Sequence, residues 1–108
     1  MNLNININLN NEQKAFVGST KQFADKYIKN NSLKWDKSAY FPVEVFKKSA
    51  ELGLAGIYVP EKDGGTGLTR LDASLIFEEL AYACPSTSAF LSIHNMTAWM
   101  LSKYGNND

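Results

Sequence analysis

The stretch Phe41–Ala81, FPVEVFKKSAELGLAGIYVPEKDGGTGLTRLDASLIFEELA, contains the signals from which the fold can be predicted. A helix begins at Pro42, whose fixed φ and missing N–H suit a first helical position. Gly53 fits the left-handed stop after the last turn of that helix. Another helix opens at Thr69, with Asp72 three positions later as in a capping box. Between the two helices we expect a buried extended link, LAGIYVP, followed by a glycine-rich loop.

A helix is also predicted upstream of this stretch, over Asn11–Lys29. Its apolar residues recur at helical spacing, and Asn10 and Gln13 occupy the two positions of a capping box. Residues 33–40, LKWDKSAY, are expected to form a connector to the next helix. Residues 1–10 are rich in asparagine, a poor strand former, and are expected to be a disordered tail. The folded domain is placed at residues 11–106.

A fourth helix is predicted after Pro85, which ends the third. Ser86 or Thr87 is expected to cap it, and Gly105 is expected to stop it. The fold class is therefore all-α, a four-helix orthogonal-type domain with the glycine-rich loop between helices two and three. Helices three and four carry more apolar residues than such a domain can bury, so we expect a partner surface in the same chain or another.

Composition excludes several classes of function. A chain of 108 residues suits one small domain. Eleven basic and eleven acidic residues cancel, and Arg70 is the only arginine, which argues against nucleic-acid binding. No apolar run approaches the ~20 residues that span a bilayer. One cysteine, Cys84, and one histidine, His94, leave no internal disulfide and no Cys–His metal site.

The glycine-rich loop, Val59–Leu68, raises the question of nucleotide binding because three glycines fill four positions. A Walker-type phosphate loop needs a lysine after its last glycine, but Leu68, Thr69 and Arg70 follow here. The dinucleotide fingerprint needs a preceding strand within a βαβ unit, and none is predicted. We interpret the loop as a structural turn whose glycines take positive φ. Gly65 is expected to be one of them.

Few side chains suggest catalysis. Glu78 and Glu79 are neighbours on a helix, where side chains diverge by roughly 100° and cannot converge on one atom. A general acid among them is the less favoured alternative. Cys84 and His94 are interpreted as core residues, and a reactive thiol or a catalytic histidine is the less favoured alternative.

Small and weakly polar residues form one line on helix four. Ser88, Ser92 and Asn95 recur at helical spacing, and Ala89 and Ala98 lie beside them. Such a line is compatible with a helix that borders a cavity. A packed interior is the alternative interpretation.

Taken together, the motifs resemble the N-terminal helical domain of the acyl-CoA dehydrogenases. None is diagnostic alone, but their order and spacing are specific, and the resemblance covers residues 12–106. Within the family, the sequence is most similar to the members that act on short branched-chain acyl groups in valine breakdown. The matching features are Phe41-Pro42 with Glu44, Glu51-Leu52-Gly53-Leu54, Pro60-Glu61, Gly64-Gly65-x-Gly67, Glu78-Glu79-Leu80 and Tyr104-Gly105.

The resemblance implies a longer enzyme of three domains, of which this chain corresponds to the first, as a fragment or a truncated copy. Such an enzyme uses FAD to oxidise an acyl-CoA, here of the isobutyryl-CoA type, to the 2-enoyl-CoA. An electron-transfer flavoprotein reoxidises the flavin. A homo-oligomer in the mitochondrial matrix is also implied, although no presequence is recognised in the opening residues.

The resemblance also indicates which residues could form a site. In the family, the helix that corresponds to helix four faces the substrate, which makes Ala89, Ser92, Ile93 and Met96 candidates for one wall of the acyl pocket. The catalytic base and most flavin contacts lie in later parts of the family's sequence. No catalytic, cofactor-binding or metal-binding residue is therefore assigned, and the chain alone is expected to bind no FAD. The alternative is a non-catalytic helical interaction module that docks on dehydrogenase subunits or another partner.

Overall fold

The computed structural model describes residues 8–108, and these residues form helices, turns and loops without a strand. The predicted all-α class is confirmed. The predicted tail lies largely outside the described residues, and residues 8–10 carry no regular structure. In chain order the elements are α1 (Asn11–Tyr27), α2 (Ser32–Ser38), α3 (Val43–Glu51), a 3₁₀ turn (Glu61–Asp63), α4 (Arg70–Ala83) and α5 (Pro85–Tyr104).

α2 corrects the prediction that residues 33–40 form a connector, and it brings the number of α-helices to five among the described residues. Asn31 already has a right-handed helical backbone, and the Trp35 N–H donates to its carbonyl at 2.9 Å. Ala39 ends the helix in a left-handed conformation, with φ of 52°. Seven residues are too few to display a helical period. The presence of a tryptophan at position 35, whose half-buried indole packs against the core, was the available sign of an ordered element.

The apolar link differs from the expected extended segment, because residues 52–59 form consecutive turns and bends. Gly53 has φ of 82°, as its predicted role after the helix requires. Leu54, Ile57 and Val59 are buried, so the prediction of burial was right although the conformation was not. Apolar composition reports burial without fixing whether the backbone is extended or turned.

The junction between α4 and α5 also differs from the prediction. Pro85 is the first residue of α5 rather than a spacer before it, and Ser86 and Thr87 lie inside the helix. Cys84 is the single residue between the two helices and has an extended backbone. The fixed φ of proline suits the first position of a helix, and the missing N–H costs nothing there because a first helical residue needs no N–H.

α4 is the central element, packed against α1 on one side and α5 on the other. Its apolar residues face both neighbours, as the nearly continuous apolar pattern of this helix requires. The link between α3 and the glycine-rich loop closes the core. The core residues with less than a tenth of their surface exposed include Phe23, Ala24, Ile28, Val45, Leu54, Ile57, Ile76, Leu80 and Leu91.

Both predicted capping boxes are present, and they are joined to each other. Asn10 Oδ1 accepts from the Gln13 N–H at 2.7 Å, and the Gln13 side chain accepts from the Asn10 N–H. Thr69 and Asp72 make the same exchange at the start of α4. Gln13 Nε2 then donates to Asp72 Oδ1 at 2.9 Å, which ties the first turns of α1 and α4 together.

The buried Asp72 carboxylate predicts a pH dependence of stability. Hydrogen bonds from the Gln13 side chain, and then from the Thr69 backbone, lower the pKa of Asp72. A carboxyl with a lowered folded-state pKa contributes stability above its unfolded pKa of ~3.9 and loses that contribution as pH falls through the folded value. We therefore expect the melting temperature of the unaltered chain to exceed that of Asp72→Asn near neutral pH. The difference should vanish in acid.

Thermal melts between neutral pH and pH ~2 measure this difference. The control is Asp36→Asn, which removes an exposed carboxylate from α2. A stability difference for Asp72→Asn that stayed constant across the whole pH range would contradict the prediction.

Candidate functional site

The four candidate pocket residues share one exposed side of α5. Ala89, Ser92, Ile93 and Met96 follow the i, i+3, i+4, i+7 spacing that places side chains on one helix face. The side chains of Ile93 and Met96 are 60% and 48% exposed, and Ala89 is also exposed. Met100, at 48%, extends the same surface by one turn. These five residues are called the outer face of α5 below.

The outer face offers little free hydrogen-bonding capacity. Ser92 is half-buried, and its hydroxyl donates to the Ala89 carbonyl at 2.8 Å. Ile93 and Met96 contribute aliphatic and thioether groups, and Ala89 contributes a single methyl group. This surface suits an apolar partner, because it neither carries charge nor leaves a hydroxyl free to select a polar one.

The remaining polar residues of the predicted line face the interior. Ser88 is buried, and its hydroxyl donates to the Phe77 carbonyl at 2.9 Å, which joins α5 to α4. Asn95 has no exposed surface. The line therefore divides between the outer face and the core, and small polar residues at helical spacing could not distinguish these two arrangements.

Asn95 connects α5 to the apolar link with its whole side-chain amide. Its Oδ1 accepts from the Ile57 N–H at 2.7 Å, and its Nδ2 donates to the carbonyls of Leu54 and Leu91, both at 2.8 Å. The amide thus satisfies buried backbone groups of the link that have no neighbouring strand to pair with. Because the side chain locks one rotation of α5, it also fixes which residues form the outer face. The sequence showed an asparagine in an apolar helix, but it gave no indication of these partners.

The backbone of the glycine-rich loop is committed to internal hydrogen bonds. Five consecutive N–H groups, which a phosphate loop would turn toward its ligand, donate instead to backbone carbonyls. The pairs are Gly64 to Glu61, Gly65 to Pro60, Thr66 to Gly56, Gly67 to Val59 and Leu68 to Ile57, at 2.8–3.1 Å. The Thr66 hydroxyl adds a bond to the Gly53 carbonyl at 2.8 Å. This segment acts as a turn and is not arranged to hold a phosphate.

The expected positive φ of Gly65 is wrong. Positive φ occurs at Gly64 and Gly67, with values of 87° and 71°. Gly65 is needed for a different reason, since a Cβ placed on it would lie 2.1 Å from the carbonyl oxygen of Val59. The loop folds so closely onto Val59 that no side chain fits between them.

The other candidate residues are dispersed. Glu78 is exposed, Glu79 is half-buried and Cys84 is buried between α4 and α5. His94 is exposed, so its interpretation as a core residue is wrong. The centroid of its ring lies 6.4 Å from that of the Phe90 ring. His94 sits just outside the buried side of α5, at a position where helical spacing alone leaves burial undecided.

Within residues 8–108, the acidic, histidine and cysteine side chains form no group of three that could hold a metal ion. In the same part of the chain, no helix combines the length and the apolar character that crossing a bilayer requires.

The arginine side chain packs on aromatic rings, with the Arg70 guanidinium 4.6 Å from the ring centroid of Tyr58 and 4.5 Å from that of Trp99. This cation–π contact ties the start of α4 to the end of α5.

Comparisons with known proteins show the family to which the chain belongs. Residues 10–108 match the sequence model of the family described as acyl-CoA dehydrogenase, N-terminal domain. The chain is 49% identical over 105 residues to the mitochondrial isobutyryl-CoA dehydrogenase of Dictyostelium discoideum, a match that covers 97% of this chain and 25% of that protein. It is 43% identical over 100 residues to the mitochondrial isobutyryl-CoA dehydrogenase of Bos taurus, covering 93% of this chain and 24% of the relative.

A relative named for a different activity is the acryloyl-CoA reductase (NADH) of Anaerotignum propionicum, which is 32% identical over 104 residues, with 96% of this chain and 26% of the relative covered. The chain thus spans about a quarter of the length of these relatives. The family match extends over all five helices and the glycine-rich loop. The chain belongs to the acyl-CoA dehydrogenase family, whose N-terminal domain it matches.

Proposed function

We propose that this chain acts as the N-terminal helical domain of a flavin-dependent dehydrogenase that oxidises a short branched-chain acyl-CoA, of the isobutyryl-CoA type, to the 2-enoyl-CoA. The observation that carries the proposal is the outer face of α5, an open apolar surface within a region that matches the family from residue 10 to residue 108. The names of two relatives, at 49% and 43% identity, support the branched substrate. The reductase at 32% identity supports only the wider class of acyl-CoA substrates.

In this proposal the outer face forms one wall of the acyl pocket. Ile93 and Met96 contact the acyl chain and exclude water from it, and each buried methylene contributes about 0.8 kcal/mol. Ala89 leaves room for the branch of the acyl chain, because its methyl group is the smallest apolar side chain on this face. The wall binds and orients the substrate, and proton removal is assigned to residues outside this chain.

FAD is proposed as the cofactor of the whole enzyme, where it would accept a hydride. The described residues do not fit the task of holding its phosphates, since the N–H groups of the glycine-rich loop are paired internally. The outer face of α5 carries no charged group that could replace them. We therefore propose that residues outside this chain hold the phosphates of the flavin cofactor.

The proposed enzyme works as a homo-oligomer in the mitochondrial matrix and passes electrons to an electron-transfer flavoprotein. The names of two relatives, both described as mitochondrial, support this location. Exposed apolar side chains beyond the outer face support extensive contact with other domains or subunits. They include Leu71, Tyr82, Leu101 and Tyr104, which are 63%, 84%, 69% and 71% exposed.

A chimera tests the proposed wall. Residues 10–108 replace the aligned segment of the Bos taurus relative, and an electron-accepting dye reports acyl-CoA oxidation. Ala89→Trp in this chimera should fill the space for the branch and lower kcat/KM for isobutyryl-CoA at least about 10-fold relative to propionyl-CoA, since one methylene in an apolar pocket changes selectivity by about 10–200-fold.

The matched control is Ala15→Trp, which makes the same change at an exposed position of α1. It should leave the ratio of the two substrates unchanged. If Ala89→Trp and Ala15→Trp gave the same ratio, α5 would not line the acyl pocket. Retained assembly without any acyl-CoA oxidation by the unaltered chimera would favour the non-catalytic interaction module.

A further inference from the structure

A groove of about 560 Å³ lies between α1, α2 and α3 and shares no residue with the outer face of α5. This volume is within the range of small-molecule sites, roughly 300–1,000 Å³. Each of the three helices contributes residues to its lining. Its lining residues are Lys26, Tyr27, Asn31, Lys34, Trp35, Ser38, Tyr40, Glu44, Val45 and Lys48.

The groove concentrates positive charge in a chain that is neutral overall. One lysine comes from each of the three helices, namely Lys26, Lys34 and Lys48. Among residues 8–108, the side-chain ion pair is Lys21 with Asp25, so none of the three groove lysines is paired with a carboxylate. Glu44 is the single carboxylate of the lining.

The Glu44 carboxylate already has a partner, because the Tyr40 hydroxyl donates to it at 3.1 Å. Counting the lining charges, three lysines against one glutamate leave a net charge of +2 in the groove. The ammonium groups of Lys26 and Lys48 lie 5.0 and 5.1 Å from the ring centroid of Tyr27, so both positive charges lie next to the same ring of the lining. An anion bound next to this ring would be attracted by both ammonium groups.

The groove is also lined by flat aromatic groups. Trp35 and Tyr27 are half-buried, and both line the groove. Tyr40, which lies between α2 and α3, adds a third aromatic ring to the lining. Stacking on such rings favours planar heterocycles and is worth about 1–3 kcal/mol per base. Lysine ammonium groups attract a phosphate, and aromatic rings stack on a base. This lining therefore suits a ligand that contains both groups.

We infer that this groove binds a small nucleotide, with the phosphate next to the Lys26 and Lys48 side of the lining and the base against Trp35. Lys34 contributes to the positive charge at the α2 end of the groove. The inference is independent of the proposed acyl-CoA oxidation, because it involves α1, α2 and α3 and leaves the outer face of α5 free.

Tryptophan fluorescence tests this inference. The chain has two tryptophans, so in Trp99→Phe the emission reports Trp35 alone. Excitation at the red edge of the tryptophan band avoids absorption by adenine. Titration of the purified protein with ADP should quench Trp35 saturably. Adenosine and inorganic phosphate should each bind at least 10-fold more weakly, since each makes only half of the contacts.

Two double variants isolate the role of the lysines. Lys26→Gln with Lys48→Gln should weaken ADP binding at least 10-fold. Lys14→Gln with Lys47→Gln removes the same charge from exposed positions of the same two helices and should leave ADP binding within about twofold. Equal weakening by both pairs would overturn the inference, and so would adenosine binding as tightly as ADP or an absence of saturable quenching.

Discussion

Replacing Asn95 by leucine is expected to remove about 3–5 kcal/mol of folding free energy, most of what a small domain has. The substitution leaves the Ile57 N–H and the Leu54 carbonyl without their partners at 2.7 and 2.8 Å. Both groups lie in the buried link, and each unsatisfied buried group costs about 1–3 kcal/mol. Leucine has a similar volume, so the loss reports the hydrogen bonds rather than a cavity.

Urea unfolding of the Asn95→Leu variant measures this loss through the midpoint and the slope. Asn30→Leu is the matched control, because Asn30 is exposed in the turn after α1 and should tolerate leucine within about 0.5 kcal/mol. If the two variants unfolded at the same urea concentration, the amide of Asn95 would not be what holds the link onto α5.

Replacing Gly65 by alanine is expected to cost about 4 kcal/mol or more, and by valine more again. The added Cβ would lie 2.1 Å from the Val59 carbonyl oxygen and 2.4 Å from the Val59 Cβ. The obstruction is backbone, which cannot move aside as a flexible side chain can. The same carbonyl accepts the Gly67 N–H at 2.9 Å, so displacing it breaks a further loop bond.

Gly18→Ala is the matched control for this prediction. Gly18 lies inside α1, and nothing approaches within 4 Å of the position that its Cβ would take. Alanine should stabilise the chain there by about 1 kcal/mol through helix propensity. The two identical substitutions are thus expected to shift the melting temperature in opposite directions. Equal melting temperatures would show that the close approach of the loop to Val59 is not required.

Local signals predicted the fold well where the responsible contacts are close in sequence. The capping boxes at Asn10 and Thr69 involve residues three positions apart, so the sequence displays both partners together. Gly53 after α3 belongs to the same class. α2 was not predicted, because Trp35 packs against a core that is distant in sequence. A helix of seven residues is too short for a helical pattern to show this packing.

Interactions over long sequence separations set the limits of prediction for the site. The spacing of Ile93 and Met96 was enough to place them on one face of α5. Which face is open depends on Asn95, whose bonds to the link cross 38 and 41 residues. For Gly65, the loop pattern indicated a special backbone position, but the close approach of Val59 became apparent only in three dimensions.

The proposal that α5 forms one wall of an acyl pocket is tested by isobutyryl-CoA oxidation in the chimera that carries residues 10–108 in the Bos taurus relative. We expect dye reduction that depends on isobutyryl-CoA, because the chain would supply the missing wall of the acyl pocket. An assembled chimera that failed to oxidise isobutyryl-CoA, while the relative with its own N-terminal segment did so, would show that this chain does not supply that wall.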